Sequence, residues 1–196
     1  LARLHCPLLI LAAGSDQRPG SHARGERLLG RIRQGEILKG DEALEELQIR
    51  VEIEAERQME EFAALLFDLM RRAPGLRIAL APGPSPAALL TPERFALLLA
   101  ELPEDALGYW HDSADAECRA AAGLAPPGAW LDRFGARIWG VTLHDFARGA
   151  DRLPPGAGTV DWRLLADYLP RGAERVLALA PSHPEAVLGE ARAVMA

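Results

Sequence analysis

The side chains of this sequence that could do chemistry follow predicted strands. They are carboxylates, an imidazole, a hydroxyl and a guanidinium at or after the ends of the third and fourth predicted strands: Asp112, Asp115, Thr142, His144, Asp145 and Arg152. In a parallel α/β protein the carboxyl ends of the strands face the active site. Because Thr142 and His144 are two residues apart, their side chains would share one face of a strand, with the imidazole toward Asp112. We therefore expect these residues to line a ligand pocket.

Two other strand ends carry a residue with no such chemistry. The segments 76–82 (LRIALAP) and 175–181 (RVLALAP) are apolar runs that both end in alanine and proline. Ala81 and Ala180 therefore stand where a parallel α/β protein exposes its strand tips. Alanine supplies neither a charge nor a proton carrier, so we expect these two tips to be chemically inert.

Strands and helices alternate along the chain. Short apolar runs predict strands over 7–13, 76–81, 106–111, 137–143 and 175–180. Periodic or capped segments predict helices over 41–73, 91–102, 161–169 and 184–195. Between them lie a polar loop with a helical piece around 27–37 and a Pro-rich loop with a short amphipathic turn over 124–134. This alternation implies right-handed βαβ units and a parallel sheet.

Composition limits the classes of function. The chain has 196 residues, 49% of them hydrophobic, and a net charge of -6. We expect a single domain over 1–196, located in the cytoplasm. A phosphate-binding surface needs a basic patch, so nucleic-acid binding is not expected. A membrane span is not expected because no apolar run reaches about 18 residues. Cys6 and Cys118 have neither metal-site nor disulfide-framework spacing.

Several segments together resemble the sugar phosphate isomerase/epimerase family, the xylose-isomerase-like barrels. The segment 138–162 (IWGVTLHDFARGADRLPPGAGTVDW) resembles a strand ending in His-x-x-Asp, followed by a polar loop and Pro-Gly-x-Gly-x-Val-Asp-Trp. The segment 107–123 (LGYWHDSADAECRAAAG) resembles the strand ending in Asp-x-x-His. LRIALAP and RVLALAP resemble strands that end in glutamate, and PLLILAAG resembles an earlier strand ending in His-x-Gly. Their order and approximate spacing agree over nearly the whole chain.

The resemblance implies a partial TIM barrel. The first strand of this chain would be the fourth of eight, so the chain would supply about five βα units and form the C-terminal portion of a barrel. The first βα units would be absent from this sequence, which begins with Leu1. A partial barrel leaves sheet edges unpaired, so we expect them to be covered by an N-terminal segment or by a homo-oligomer.

The resemblance also implies a degenerate metal site. The family binds one divalent metal through Glu, Asp, His and Glu, and these positions fall on Ala81, Asp112, Thr142 and Ala180. The metal polarises the sugar's carbonyl while the glutamates move a proton. The family's other histidines fall on Ala12 and Asp115, and a loop histidine falls near Arg152. With one ligand kept, neither the family metal nor the family isomerisation is expected.

The sequence leaves three hypotheses open. The first is an isomerase/epimerase-like protein that binds a small polar or sugar-like ligand, or a partner, in the altered mouth. The second is an active metal-dependent isomerase, epimerase or dehydratase of sugar-like substrates. In that case Asp112 and His144 would form a shifted site for Mn²⁺, Mg²⁺ or Zn²⁺. The third is a structural module that pairs through its barrel edges.

Overall fold

The main sheet of the protein is an open, parallel half-barrel of five strands. The computed structural model describes residues 6–13, 15, 16, 18–147, 150–184, 187 and 189. The sheet has the order β1-β2-β3-β4-β7, and every neighbouring pair is parallel. Its strands are β1 (Leu8–Ala13), β2 (Arg77–Pro82), β3 (Leu107–Asp112), β4 (Ile138–Leu143) and β7 (Glu174–Leu177). The predicted α/β class and its five parallel strands are therefore confirmed.

The fifth strand of the sheet is shorter than the sequence predicts. β7 ends at Leu177, so Ala180 lies beyond the strand and is not its last residue. Beyond β7 the chain still makes backbone hydrogen bonds. The N–H of Ala178 donates to the carbonyl of Leu143, and the N–H of Ala180 donates to the carbonyl of Arg152. The partner of Ala180 is in a two-stranded antiparallel hairpin, β5 (Asp145–Ala147) and β6 (Ala150–Leu153), in a segment predicted as a polar loop.

Six α-helices and a short 3₁₀-helix, Gly135–Arg137, accompany the strands in the described part of the chain. The α-helices are α1 (Pro19–Arg33), α2 (Glu42–Arg72), α3 (Pro92–Glu101), α4 (Ser113–Ala121), α5 (Pro127–Phe134) and α6 (Trp162–Tyr168). The helices predicted over 41–73 and 91–102 are confirmed, and each predicted first residue is an N-cap: the Asp41 carboxylate accepts from two backbone N–H groups of the first turn, and the Thr91 hydroxyl accepts from that of Arg94. The helix predicted over 184–195 lies almost entirely outside the described residues.

Three helices differ from the prediction. α1 begins at Pro19, where a loop was predicted, because a buried stripe of Leu28, Leu29 and Ile32 outweighs the cost of its glycines. α4 was missed because it begins directly after β3 with no connecting loop. α5 is a two-turn helix where only a short turn was predicted, and it buries Trp130 and Phe134. In all three, tertiary burial overrides a weak local signal.

The outer face of the sheet packs against a layer of helices. Alternating strand residues, such as Ile78 and Leu80 of β2 and Tyr109 of β3, form a buried cluster with side chains of α2, α3, α5 and α6. Aromatic rings dominate its centre, where Phe95 lies edge-on to Phe134 with ring centroids 4.7 Å apart. Among the described residues, no helix has both the length and the apolar character that crossing a bilayer requires.

The inner face of the sheet is filled by two indoles that fit over glycines. A bulge pairs Tyr109 with Ile138 and Trp110 with Gly140, so that Trp139 is an extra residue on β4. A Cβ placed on Gly108 would overlap the ring of Trp139, and one placed on Gly140 would overlap the ring of Trp110. This large-to-small packing is the interior filling of a barrel, achieved here with an open sheet.

The inner face remains partly exposed beside both sheet edges. Within the described residues, β1 and β7 each have one strand neighbour in the sheet. Ile10 is paired in register with Ala79, and Val176 with Thr142, so both lie on the inner face. They are 43% and 44% exposed. What covers these edges stays a prediction.

Replacing Gly140 with alanine should destabilise the fold. The added methyl group has no space beside the Trp110 ring, so we expect a loss of about 1–3 kcal/mol in the free energy of unfolding. The measurement is urea denaturation followed by circular dichroism. Gly30→Ala is the matched control, because its Cβ would meet nothing within 4 Å and helical alanine is favoured over glycine by up to about 1 kcal/mol. Equal effects of the two substitutions would contradict the packing described.

Candidate functional site

A polar cavity lies at the carboxyl ends of β3 and β4. Its volume is about 250 Å³, and the polar side chains that line it are Arg33, Asp112, Asp115, Thr142, His144 and Arg152. Five residues predicted from the sequence are therefore brought together. Asp145 is the exception, since it does not line the cavity. Arg33 was not predicted: the sequence indicates a helical piece around 27–37, but no local pattern places the end of that helix beside β3 and β4.

A wider cavity at the opposite end of the sheet has different chemistry. It has a volume of about 630 Å³ and is lined by Leu76, Arg77, Glu104, Asp105 and Trp139, among others. The guanidinium of Arg77 already covers the Trp139 ring, 4.1 Å from its centroid. Because active sites of parallel barrels lie at the carboxyl ends of the strands, we place the functional site in the cavity at β3 and β4.

Asp112 holds the centre of the site. It is both the last residue of β3 and the N-cap of α4. Its Oδ1 accepts a hydrogen bond from the Asp115 backbone N–H at 3.0 Å and lies 2.8 Å from Nε2 of His144. The carboxylate thus caps a helix and orients the imidazole of the residue that directly follows β4.

His144 is fixed through its backbone as well. Its N–H donates to Oγ of Ser113 at 3.1 Å, and that hydroxyl lies 2.6 Å from the His144 carbonyl oxygen, to which it donates. Nδ1 of the imidazole is buried and has no hydrogen-bond partner among the described residues. Ser113 is therefore the residue that connects the start of α4 to the end of β4.

The two carboxylates of the cavity differ in proton affinity. Burial would raise the pKa of Asp112, but the hydrogen bond and charge of His144 hold it below its usual value. Burial opposes protonation of His144, yet its bond to Asp112 and the charges of both carboxylates raise its pKa. Burial and the adjacent charge of Asp112 raise the pKa of Asp115 to about 7. The contact between Asp112 and His144 thus favours the ionised carboxylate and the protonated imidazole, beside a carboxyl group whose pKa lies near neutrality.

Thr142 and Arg152 complete the rim. Oγ1 of Thr142 accepts a hydrogen bond of 2.8 Å from the Trp110 indole N–H, so this side chain fixes an inner-face ring. Thr142 is also paired in register with Asp112. Arg152 lies on β6 with φ of 53°, and it is the only non-glycine residue with positive φ in the described part of the chain.

Asp145 does not face the cavity. Its carboxylate organises the loop that follows the β5–β6 hairpin. It is fully buried. Its Oδ1 accepts from the backbone N–H groups of Phe146 and Val160, at 2.9 and 3.0 Å. Its Oδ2 accepts from Gly156 N–H at 2.9 Å and the Trp162 indole N–H at 3.0 Å. The Pro-Gly-x-Gly-x-Val-Asp-Trp segment is thus a loop wrapped around one carboxylate.

The residues present do not fit a divalent metal. No group of three or more His, Cys, Asp or Glu side chains in the described residues converges as metal ligands would. The shifted site predicted from Asp112 and His144 therefore lacks a third side-chain donor there, and these two bind each other through the atoms a cation would use. Geometry and ligand number make a specific site, so we derive no metal-dependent step.

Comparison with known proteins adds one solved structure. No family model and no curated protein matches the chain. The chain is similar to "Crystal structure of D-tagatose 3-epimerase-like protein", with 16% sequence identity and a TM-score of 0.47. The match covers 96% of this chain and 60% of that chain, so this chain spans less than two thirds of that protein's length. The function is accordingly inferred from the geometry of the site itself.

Replacing Asp145 with asparagine should destabilise the protein far more than a matched change at a cap. Asparagine replaces one carboxylate oxygen with an NH₂ group, which cannot accept a hydrogen bond. At least two of the four hydrogen bonds to the carboxylate are therefore lost. We expect a loss of about 3 kcal/mol or more in the free energy of unfolding. Asp161→Asn is the control, because asparagine caps α6 about as well as aspartate.

The same variant should show a diagnostic pH dependence. Burial would raise the pKa of Asp145, but the N–H groups around it hold the pKa below its usual value. A lowered folded-state pKa contributes stability that is present above the unfolded pKa and lost as the pH falls through the folded one. The difference in the free energy of unfolding between wild type and Asp145→Asn should therefore become smaller at acid pH. A gap in urea midpoints that stays constant from neutral to acid pH would contradict this account.

Proposed function

We propose that this protein binds a small, hydroxylated, sugar-like ligand in the cavity at β3 and β4, and that it does so without a divalent metal. The observation that carries the proposal is the contact between Asp112 and His144 in a polar cavity of about 250 Å³. Oδ1 of Asp112 and Nε2 of His144, the atoms that a metal would need, lie 2.8 Å apart and bind each other. A cavity of this size suits a single small molecule and is slightly smaller than the usual range for ligand pockets, which begins at about 300 Å³.

The lining supports recognition of hydroxyl groups. Ionised Asp112 has acceptor capacity beyond its bonds to His144 and the helix, and Asp115 offers a donor or acceptor according to its protonation. Arg33 and Arg152 add guanidinium groups to the lining of the same cavity. A polyol presents donors and acceptors on adjacent carbons, which matches this alternation. The isomerase/epimerase resemblance of the sequence agrees with such a ligand class.

A second candidate function is proton exchange on the bound ligand, and one observation favours it. Asp115, with a pKa of about 7, is the carboxyl group of the cavity that can both give and take a proton near neutrality. In this case the protein would be a metal-independent enzyme. The reaction would appear as deuterium incorporation at the carbon next to the carbonyl of a ketose in D₂O.

The test of binding uses the protein after extensive dialysis against EDTA. Calorimetry with a panel of pentoses, hexoses, ketoses and pentitols should find at least one ligand whose affinity does not change when Mg²⁺, Mn²⁺ or Zn²⁺ is restored. Asp115→Asn should weaken that ligand about tenfold or more, because a hydrogen bond inside the cavity is altered. Asp105→Asn, at the other end of the sheet, is the matched control and should leave the affinity unchanged.

Two results would reject the proposal. Binding that appears only with a divalent cation would favour the metal-dependent alternative. An absence of binding across the whole panel, with the protein folded by circular dichroism, would show that this cavity is not a sugar-like ligand site. Deuterium incorporation that Asp115→Asn abolishes would establish the second candidate in place of binding alone.

A further inference from the structure

Arg119 is a positive charge buried in the helix layer behind the sheet. It lies on α4 and is only 2% exposed. Its Nη1 donates to the backbone carbonyl oxygens of Pro82, at 2.5 Å, and Gly83, at 3.3 Å, where β2 ends. Its other two nitrogens, Nε and Nη2, are buried and have no hydrogen-bond partner among the described residues. Because a guanidinium has donors and no acceptor, these N–H groups require an acceptor from elsewhere.

Trp130 brings another unpaired donor to the same region. The guanidinium carbon of Arg119 lies 5.3 Å from the centroid of the Trp130 ring. This indole is 1% exposed, and its Nε1 is likewise buried with no partner in the described part of the chain. The ring is fixed by stacking on Tyr109 of β3, with ring centroids 5.6 Å apart. Two adjacent side chains, one from α4 and one from α5, thus contribute three donor nitrogens that lack an acceptor.

The charge of Arg119 also has no ion-pair partner. No carboxylate of the described residues lies within ion-pair distance of its guanidinium. Asp115, one turn earlier on α4, lines the cavity of the candidate site instead, so the charges of these two side chains act on each other only at longer range. A buried charge without a partner is costly, and so is a buried N–H group without an acceptor. Such groups in a folded protein indicate an enclosed water or ion.

We infer that Arg119 and Trp130 bind a small monovalent anion, a halide such as chloride, between α4 and α5. The anion accepts hydrogen bonds from Nε and Nη2 of Arg119 and from Nε1 of Trp130. It also supplies the negative charge that Arg119 lacks, which a water molecule cannot do. The site lies in the helix layer, on the opposite face of the sheet from the cavity that Asp112 lines. The inference is therefore independent of the proposed function.

A halide suits this position better than a phosphate or a carboxylate. Each oxygen of an oxyanion that is buried here would need its own donors. Apart from the three nitrogens of Arg119 and Trp130, the buried side-chain nitrogen or oxygen that lacks a partner in the described residues is Nδ1 of His144, which belongs to the candidate site. A halide is spherical and accepts from any direction, so three donors and one positive charge are sufficient for it.

The first test measures thermal stability in halide. Unfolding is followed by circular dichroism at constant ionic strength, while sodium chloride or sodium bromide replaces sodium gluconate, whose anion is too large for a buried site. An anion that binds the folded chain and not the unfolded one raises the melting temperature as its concentration increases. Between no halide and about 0.2 M halide, we expect the melting temperature of the wild type to rise by about 3 °C or more.

Three variants separate specific binding from a general effect of salt. Arg119→Met removes the charge and the donors but keeps a long side chain beside Trp130, so the rise with halide should be lost. Arg171→Met changes an exposed arginine in the turn before β7 in the same way and should keep the full rise. Trp130→Phe keeps an aromatic ring and the Arg119 charge but removes one donor. It should require about threefold more halide, or a larger excess, for the same rise.

A crystal of the wild type grown in sodium bromide gives the direct test, because bromide scatters anomalously. We expect an anomalous peak within hydrogen-bond distance of the Arg119 guanidinium and of Nε1 of Trp130. The absence of that peak, with water bound to these nitrogens instead, would overturn the inference.

The variants can overturn it independently. A rise in melting temperature that Arg119→Met retains, or that Arg171→Met loses as well, would show that halide acts by a general salt effect. An unchanged halide requirement in Trp130→Phe would reject the role of the indole. If Arg119→Met does not fold, the bromide crystal of the wild type and the Trp130→Phe titration decide the outcome.

Discussion

The site depends on one carboxylate at a junction without a loop. Asp112 ends β3, and its Oδ1 both caps α4 and holds His144, which directly follows the neighbouring strand β4. Because helix and strand meet directly at this residue, α4 must lie across the strand tips. That placement brings Ser113 against the end of β4 and Asp115 into the cavity. Both side chains are largely shielded from water, and a charge buried there without its partner would be costly, so the two residues require each other.

A second carboxylate does comparable work for the other half of the site. Asp145 collects four N–H donors from a loop that contains little regular structure and thereby fixes the position of the β5–β6 hairpin. The hairpin in turn places Arg152 over the cavity and joins the end of the main sheet through Ala180. Asp112 thus lines the candidate site, and Asp145 fixes the hairpin that carries another residue of its lining, Arg152.

The sequence predicted the sheet and most of the site because both depend on local patterns. Five apolar runs bounded by turn residues gave the five strands, and the spacing of Thr142 and His144 placed the imidazole near Asp112. The rest could not be read locally. Asp145 looks like any polar residue after a strand, and only the folded loop reveals its four donors. Glycines hid the start of α1, and although its end was predicted as a helical piece around 27–37, no local pattern placed Arg33 at the cavity.

The indole of Trp110 has an optical consequence. Its N–H donates a hydrogen bond to Thr142, a residue that lines the cavity, and its ring packs against Gly140 on the inner face of the sheet. The emission of an indole responds to the hydrogen bond at its nitrogen and to the fields around its ring. The protein therefore contains an intrinsic fluorophore beneath the cavity, coupled to its wall by one hydroxyl. Ligand binding in the cavity can be followed by tryptophan fluorescence without attaching a label.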